Sequence, residues 1–154
     1  MPWLNLPARL RRILPALLGV GITTAALADP HTPPPPVLAT HWQGAYAYAS
    51  NSAPVPFTME LSASNGVVSG RITEPALYPG HTVPQLFADI SGTLQGTTLA
   101  FTKTYDGTGG QTQSVQYVSE VSYDGHSMTG RWTMPNLSGT FSAAATDLNF
   151  TRVP

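Results

Sequence analysis

The sequence predicts an all-β domain, a single up-and-down antiparallel β-barrel of about eight strands. After residue 40, short runs of alternating apolar and polar residues follow one another, as expected for strands that bury one face. Outside the N-terminal segment, no run has the period of a helix. Dipeptides that favour tight hairpins separate several runs, so strands adjacent in the chain are expected to pair. These dipeptides are Asn65-Gly66, Gln95-Gly96 and Asp124-Gly125.

A four-residue motif is repeated along the chain: Ser or Thr, then Gly, then any residue, then an apolar residue. Its repetition favours a closed sheet. It occurs at residues 69–72, 91–94, 129–132 and 138–141. In each copy, Gly shares a strand face with the large apolar residue two positions later, and this face is expected to point inward. Glycine at such a position lets a strand bend, or lets a neighbouring side chain approach the backbone, as barrel closure requires.

Residues 1–28 are predicted to be a secretory signal peptide. A basic cluster precedes an apolar stretch that is short for a membrane span, and a small-x-small cleavage pattern follows. These features are Arg9, Arg11 and Arg12, then residues 13–26, then Ala26-Leu27-Ala28. The protein is therefore expected to be exported, to a periplasm or out of the cell, with no stable membrane span left after cleavage. An uncleaved membrane anchor is the alternative.

Residues 29–40 are predicted to be a Pro-rich linker, because they contain four consecutive prolines that favour an extended polyproline conformation. This stretch is interpreted as a spacer, with a docking segment for an aromatic groove as the alternative. The barrel domain is assigned to residues 41–154.

After signal cleavage the chain has four cationic side chains and eight carboxylates, a net charge of −4. That balance argues against nucleic acid and anionic membranes as partners. The absence of cysteine excludes disulfides and thiolate metal sites.

Within the domain, the alternation predicts the strands in order. They are residues 41–48, residues 55–63, a strand through 68–72, residues 86–94, three strands between 97 and 132, residues 138–146, and a short terminal strand at 148–153. Residues 74–85 are predicted to be a loop, because three prolines there cannot donate to a strand ladder.

Lys103 is the most informative polar residue, because it shares a strand face with Leu99, Phe101 and Tyr105. A lysine is rarely buried without a partner. It is interpreted either as a cavity lysine that orients an anionic ligand, or as a structural lysine that reaches the barrel mouth or forms an ion pair. The expected partners for such a pair are Glu60, Asp89 and Glu120.

Aromatic residues are predicted to share the inner face with Lys103, where they form either a ligand pocket or an ordinary core. They are Tyr46, Tyr48, Tyr105, Tyr117, Tyr123 and Trp132. The candidate ligand-binding residues are Lys103, Tyr46, Tyr105, Tyr117 and Trp132. Arg71 and Arg131 are expected to point outward.

No catalytic motif, metal site or cofactor site is predicted. The four histidines lie at turns, at a strand start or in the linker, without metal-ligand spacing. The Gly-rich stretch at residues 106–110 has one carboxylate, whereas calcium requires about six to eight oxygen ligands.

The order of motifs resembles small exported meander barrels of the avidin and lipocalin type. The motifs are W-x-G-x-Y, SGRI, ISG, FTKTY, VQYVSEVSYDG, GRW and GTF, and the resemblance covers nearly all of residues 41–146. The resemblance implies a barrel with an internal cavity, but no particular ligand. The set of residues with which avidins hold biotin has no counterpart here, and the lipocalin G-x-W motif appears in reverse order at Trp42-Gln43-Gly44.

Three functions are compatible with these observations. The first is an exported, non-enzymatic barrel that binds a small apolar or anionic ligand, with Lys103 and the tyrosines at the polar end of its cavity. The second is a structural or protein-interaction module of the cell envelope with a filled barrel, whose partner the sequence does not identify. The third is an enzyme that uses Lys103 or a tyrosine in acid–base chemistry. A cavity next to Lys103 separates the first and third from the second.

Overall fold

The computed structural model describes residues 33–50, 52–77, 80 and 82–147. Within these residues the chain forms eight antiparallel strands. Each strand pairs with the next, and the last pairs with the first to close a barrel. The predicted fold class is therefore confirmed. The strands are β1 His41–Tyr48, β2 Val55–Ser64, β3 Val67–Pro75, β4 Gln85–Gln95, β5 Thr98–Tyr105, β6 Ser114–Val121, β7 Ser127–Met134 and β8 Leu137–Ala145, with one 3-10 turn at Thr108–Gly110.

Alternation along each strand separates a buried inner face from an exposed outer face. In β2 the buried side chains are Val55, Phe57, Met59 and Leu61, and every residue between them is exposed. The inner faces of all eight strands contribute to one apolar core. Burial of this face is the main force that favours the closed sheet over an open one.

Glycines on the inner face let large side chains lie against the backbone of a neighbouring strand. A Cβ atom on Gly139 would lie 1.8 Å from the carbonyl oxygen of Ala47 and 2.6 Å from Nε1 of Trp132. No side chain fits in this space. The Trp132 indole therefore occupies it, and its Nε1 donates a hydrogen bond of 3.2 Å to the Ala47 carbonyl across β8.

The two ends of the barrel are built differently. At one end, called the closed end, two-residue turns join β2 to β3 and β4 to β5, and a five-residue turn joins β6 to β7. Asn65 and Gly66 both have positive φ, 51° and 77°, as a tight hairpin turn requires. At the opposite end, called the cavity end, longer connections at residues 49–54, 76–84 and 106–113 alternate with the short turn at Pro135-Asn136.

The second part of the expected linker lies against the closed end. Ala39 donates a backbone hydrogen bond of 3.3 Å to Gly125 and accepts one of 2.9 Å from Trp42 Nε1. The backbone N–H of Thr40 donates to Asp147 Oδ2 at 2.8 Å. Leu38 and Ala39 also pack against the core. The expected signal peptide lies outside the described residues, and so does the expected terminal strand at 148–153.

Two details of the sequence-based prediction are wrong. Glu74 is not in a loop, because β3 continues to Pro75, where the missing proline N–H falls at the last position of the ladder. Tyr123 does not face inward. Strand β6 ends at Val121, so the alternation no longer applies, and Tyr123 is 74% exposed in the turn that follows.

Candidate functional site

A cavity of about 480 Å³ opens inside the cavity end of the barrel. Strand residues form its floor and walls, and residues of the connections form its mouth. The described lining residues are Tyr46, Tyr48, Gly80, Leu86, Lys103, Tyr105, Gly109, Gln111, Gln113, Val115, Tyr117, Trp132, Met134 and Leu137. All five residues predicted from the sequence therefore lie at one cavity, while their role in binding a ligand stays a prediction.

Lys103 on β5 lies at the floor of the cavity and forms an ion pair with Glu74 on β3, which is not among the described lining residues. Both residues are almost fully buried, with exposed fractions of 1% for Lys103 and 3% for Glu74. Lys103 Nζ donates a hydrogen bond to Glu74 Oε2 and a second one of 2.8 Å to the Tyr105 hydroxyl. The pair explains how a lysine is accommodated in the barrel interior, because the carboxylate replaces the water that the ammonium loses.

The partners predicted for Lys103 from the sequence are wrong. Glu60, Asp89 and Glu120 are all exposed on the outer face of the barrel, whereas Lys103 points inward. Glu74 is the partner, because in β3 it follows Val68, Gly70 and Ile72 at two-residue spacing on the inner face. The alternation of Glu74 with these residues indicates an inner position, whereas the adjacent Pro75 favours a loop.

Two tyrosines complete the coordination of the Glu74 carboxylate. The Tyr105 hydroxyl donates a hydrogen bond to Glu74 Oε1, and the Tyr46 hydroxyl lies 3.4 Å from the same oxygen. Burial raises the pKa of Tyr105 above its ordinary value, and the neighbouring carboxylate raises it further. Burial also lowers the pKa of Lys103, while Glu74 opposes this shift. Tyr105 therefore keeps its proton at neutral pH and acts as a donor to Glu74.

The Lys103 ammonium also lies over aromatic faces. Its Nζ is 4.3 Å from the ring centroid of Tyr105 and 5.2 Å from that of Tyr46. Both distances are within the range of cation–π attraction. The carboxylate and the two rings together enclose the ammonium group.

An aromatic wall rises from this floor. Tyr48 contacts the Trp132 ring edge to face at 5.0 Å, and Tyr46 contacts it at 6.0 Å. Below them Tyr117 stacks on Phe101 at 4.7 Å. The wall therefore combines apolar ring surface with hydroxyl groups. Such a surface is typical of pockets that bind small, mainly apolar molecules.

The connection between β5 and β6 forms part of the mouth, through Gly109, Gln111 and Gln113. Arg71 ties the start of this connection to the barrel wall, because its guanidinium donates to Asp106 Oδ2 at 2.7 Å and to Asp89 Oδ1 at 3.1 Å.

The Asp106 carboxylate also accepts a hydrogen bond of 3.0 Å from the Thr108 backbone N–H. This bond, together with Arg71, holds the pKa of Asp106 below its usual value. Arg71 points outward, as the sequence predicts.

Sequence reasoning missed three parts of the site: Glu74, the role of Tyr48 as a wall residue, and the glutamines at the mouth. Tyr48 is expected on the inner face but is not among the five candidate ligand-binding residues. Gln111 and Gln113 lie in a connection whose path alternation does not predict. Among the described residues, no group of three or more His, Asp or Glu side chains is placed to hold a metal ion. Within the same residues, the structure has no helix with the length and hydropathy needed to cross a membrane.

The fold and the site define a closed eight-stranded meander barrel with an aromatic cavity at one end. No protein-family model matches the chain, and no curated protein is significantly similar to it in sequence. Among solved structures, the chain is similar to a single-residue mutant of the fluorescent protein UnaG. The TM-score is 0.40 and the sequence identity 14%, and the alignment covers 70% of this chain and 94% of that one. A similarity of this size carries no argument about function.

Proposed function

We propose that this barrel is a non-enzymatic binding protein that holds a small, mainly apolar ligand in the aromatic cavity. The observation that carries the proposal is the cavity itself. Its volume of about 480 Å³ falls within the range of small-molecule sites, which is about 300–1,000 Å³. A barrel that served only as a structural module would be expected to fill this space with side chains, as the closed end does.

The polar groups of the site support binding rather than acid–base catalysis. Lys103, Glu74 and Tyr105 form hydrogen bonds with one another, so each is engaged inside the protein. Glu74, the carboxylate of this group, is also not among the described residues that line the cavity. We therefore assign these residues to the polar end of the binding site, where they fix the positions of the rings around the ligand.

Export is the second part of the proposal, and it is supported by the signal-peptide pattern of residues 1–28. Expression of the full chain in a bacterium, followed by fractionation and N-terminal sequencing, tests it. We expect a mature protein that begins at Asp29, in the periplasm or the medium. An intact N-terminus on a membrane-bound protein would contradict export and support the anchor alternative.

Native mass spectrometry of the exported protein tests ligand binding. We expect a co-purified small molecule that is released on denaturation. Val115→Trp places a larger side chain in the cavity and is expected to abolish this mass. Val118→Trp is the matched control, because Val118 lies on the same strand but is 55% exposed on the outer face. It is expected to retain the ligand.

A bare protein mass, together with no binding of added uncharged aromatic compounds, would contradict the proposal. Retention of the same ligand by Val115→Trp would also contradict it, because the ligand would then bind elsewhere. Either result would favour the alternative of a module that contacts another protein of the cell envelope.

A further inference from the structure

The charges at the cavity floor restrict the chemical class of the ligand, an inference that rests on the proposed function. Lys103 is the only charged side chain among the described residues that line the cavity. Its ammonium is paired with the Glu74 carboxylate and enclosed by tyrosine rings. Wherever the shared proton lies, the pair has no net charge. Among the described lining residues, no cation is left to neutralise an anionic ligand.

The walls also disfavour an anion. The faces of aromatic rings carry partial negative charge, and Tyr46, Tyr48 and Trp132 form much of the wall. An anion that left water for this site would lose its hydration without an opposing charge, which is costly. A cation would be repelled by the Lys103 ammonium, because the Glu74 carboxylate is already paired with this lysine. An uncharged ring system would pay neither cost and could pack against the aromatic wall.

Tyr117 offers a polar contact to such a ligand. Its ring lines the cavity, and its hydroxyl forms no hydrogen bond with another described residue. Burial raises the pKa of Tyr117, and the Glu74 carboxylate raises it further, so the hydroxyl keeps its proton. A protonated hydroxyl at the cavity wall offers a hydrogen-bond donor to an acceptor atom on the ligand.

We propose that the cavity selects an uncharged, flat, largely apolar ligand that carries a hydrogen-bond acceptor for Tyr117. The Lys103–Glu74 pair makes this selection by cancelling the charge of the lysine, which alone would attract anions. The sequence-based expectation of an apolar or anionic ligand is thus narrowed to the uncharged class.

Three probes of one shape but different charge test this inference: naphthylmethanol, naphthoate and naphthylmethylammonium, substituted at the same ring position. Isothermal titration calorimetry measures their affinities for the mature protein. We expect the alcohol to bind at least about tenfold more tightly than either charged probe. Tyr117→Phe keeps the ring and removes the donor, and is expected to weaken alcohol binding by about threefold to tenfold.

Glu74→Gln keeps the shape of the floor but leaves the lysine charge uncompensated. In this variant we expect naphthoate to gain about tenfold in affinity, while the alcohol changes little. Glu120→Gln is the matched control, because it makes the same change in net charge on the outer face. The double variant Glu74→Gln/Lys103→Met restores an uncharged floor and is expected to lose the naphthoate gain. If Glu74→Gln alone fails to fold, the double variant still tests the inference, because its uncharged floor is expected to bind the alcohol more tightly than naphthoate.

The outcomes separate the inference from the proposed function. If none of the three probes binds the wild-type protein, the cavity does not bind ligands of this size and both conclusions fall. If naphthoate binds the wild-type protein as tightly as the alcohol, the cavity is a binding site but the inference of an uncharged ligand is overturned. Equal gains in naphthoate affinity for Glu74→Gln and Glu120→Gln would overturn it as well. An unchanged affinity in Tyr117→Phe would overturn the acceptor requirement.

Discussion

The closed end and the cavity end of this barrel are built from the same eight strands, yet apolar side chains fill one end while the other surrounds a cavity. At the closed end, the inner positions hold apolar side chains such as Trp42, Met59, Leu99 and Met128, all at most 2% exposed. At the cavity end, the same alternation places Lys103 of a charged pair and hydroxyl-bearing rings around the cavity.

This difference shows that strand alternation specifies which face is inside, but not whether the inside is filled. At the closed end, short hairpins and residues 38–39 lie against the core, and the inner side chains there are almost fully buried. At the cavity end, longer connections replace these turns, and Gly109, Gln111 and Gln113 of one of them line the mouth. We therefore expect stability to depend mainly on the closed end, except where the buried charges of the cavity end are disturbed.

The largest expected effect is at the buried charges. Glu74→Leu leaves the Lys103 ammonium without its partner in the barrel interior, and is expected to lower the free energy of unfolding by about 3–5 kcal/mol. Urea denaturation measures this loss. The double variant Glu74→Leu/Lys103→Met replaces both charges by apolar groups and is expected to recover most of the stability. If the double variant were as unstable as Glu74→Leu alone, the Lys103–Glu74 pair would contribute more stability than the desolvation of its two charges costs.

A matched pair of leucines compares the two ends directly. Leu99 is fully buried in the core of the closed end, whereas Leu86 is 2% exposed but lines the cavity. Leu99→Ala opens a new void and is expected to cost about 3–5 kcal/mol, while Leu86→Ala enlarges an existing space and should cost about 2–3 kcal/mol. Urea denaturation of both variants measures the difference. Equal losses would mean that the cavity end is packed as tightly as the closed end.

Alkaline pH is expected to weaken the cavity end. The pKa values of Tyr105 and Tyr117 are raised in the folded protein, chiefly by burial. Below about pH 10 both states keep these protons, and above it only the unfolded state releases them, so stability falls as pH rises.

For each of these tyrosines the expected slope is up to about 1.4 kcal/mol per pH unit. Chemical denaturation at several alkaline pH values measures it. Tyr117→Phe should reduce the slope, and Tyr123→Phe, which changes an exposed ring, is the control. An unchanged slope in Tyr117→Phe would argue against a buried, protonated hydroxyl at this position.

The smallest expected effect on stability is at the mouth. Arg71 is about half exposed and pairs with Asp89 and Asp106. Exposed pairs contribute little, so Arg71→Ala is expected to cost less than about 1 kcal/mol. Because the variant releases the connection at residues 106–113 from the wall, we expect faster dissociation of naphthylmethanol in stopped-flow measurements. Arg131→Ala, an exposed arginine on β7, is the control. Equal dissociation rates for the two variants would show that the mouth does not limit exchange.

The barrel could be predicted from the sequence because its determinants are local. Alternation assigns each inner face, and turn dipeptides such as Asn65-Gly66 assign neighbouring strands. Strand alternation also predicts that Lys103 shares the inner face with the aromatic candidates Tyr46, Tyr105, Tyr117 and Trp132.

The rest of the site depends on contacts that no local pattern contains. Glu74 meets Lys103 across the barrel interior, 29 residues away in sequence, and the proline beside it suggested a loop. Whether the tyrosines enclose a cavity or fill a core depends on how closely side chains from opposite walls approach, which the order of residues along a strand does not specify.

The described chain enters and leaves the barrel side by side at the closed end, where Thr146 donates a backbone hydrogen bond of 2.9 Å to His41. The barrel is thus nearly a ring in its connectivity as well as in its sheet. A circular permutant that joins these two points through a short peptide and opens at the turn containing Asn136 would keep all eight strands. The same arrangement allows a reporter domain to be fused at the closed end, on the opposite side from the cavity.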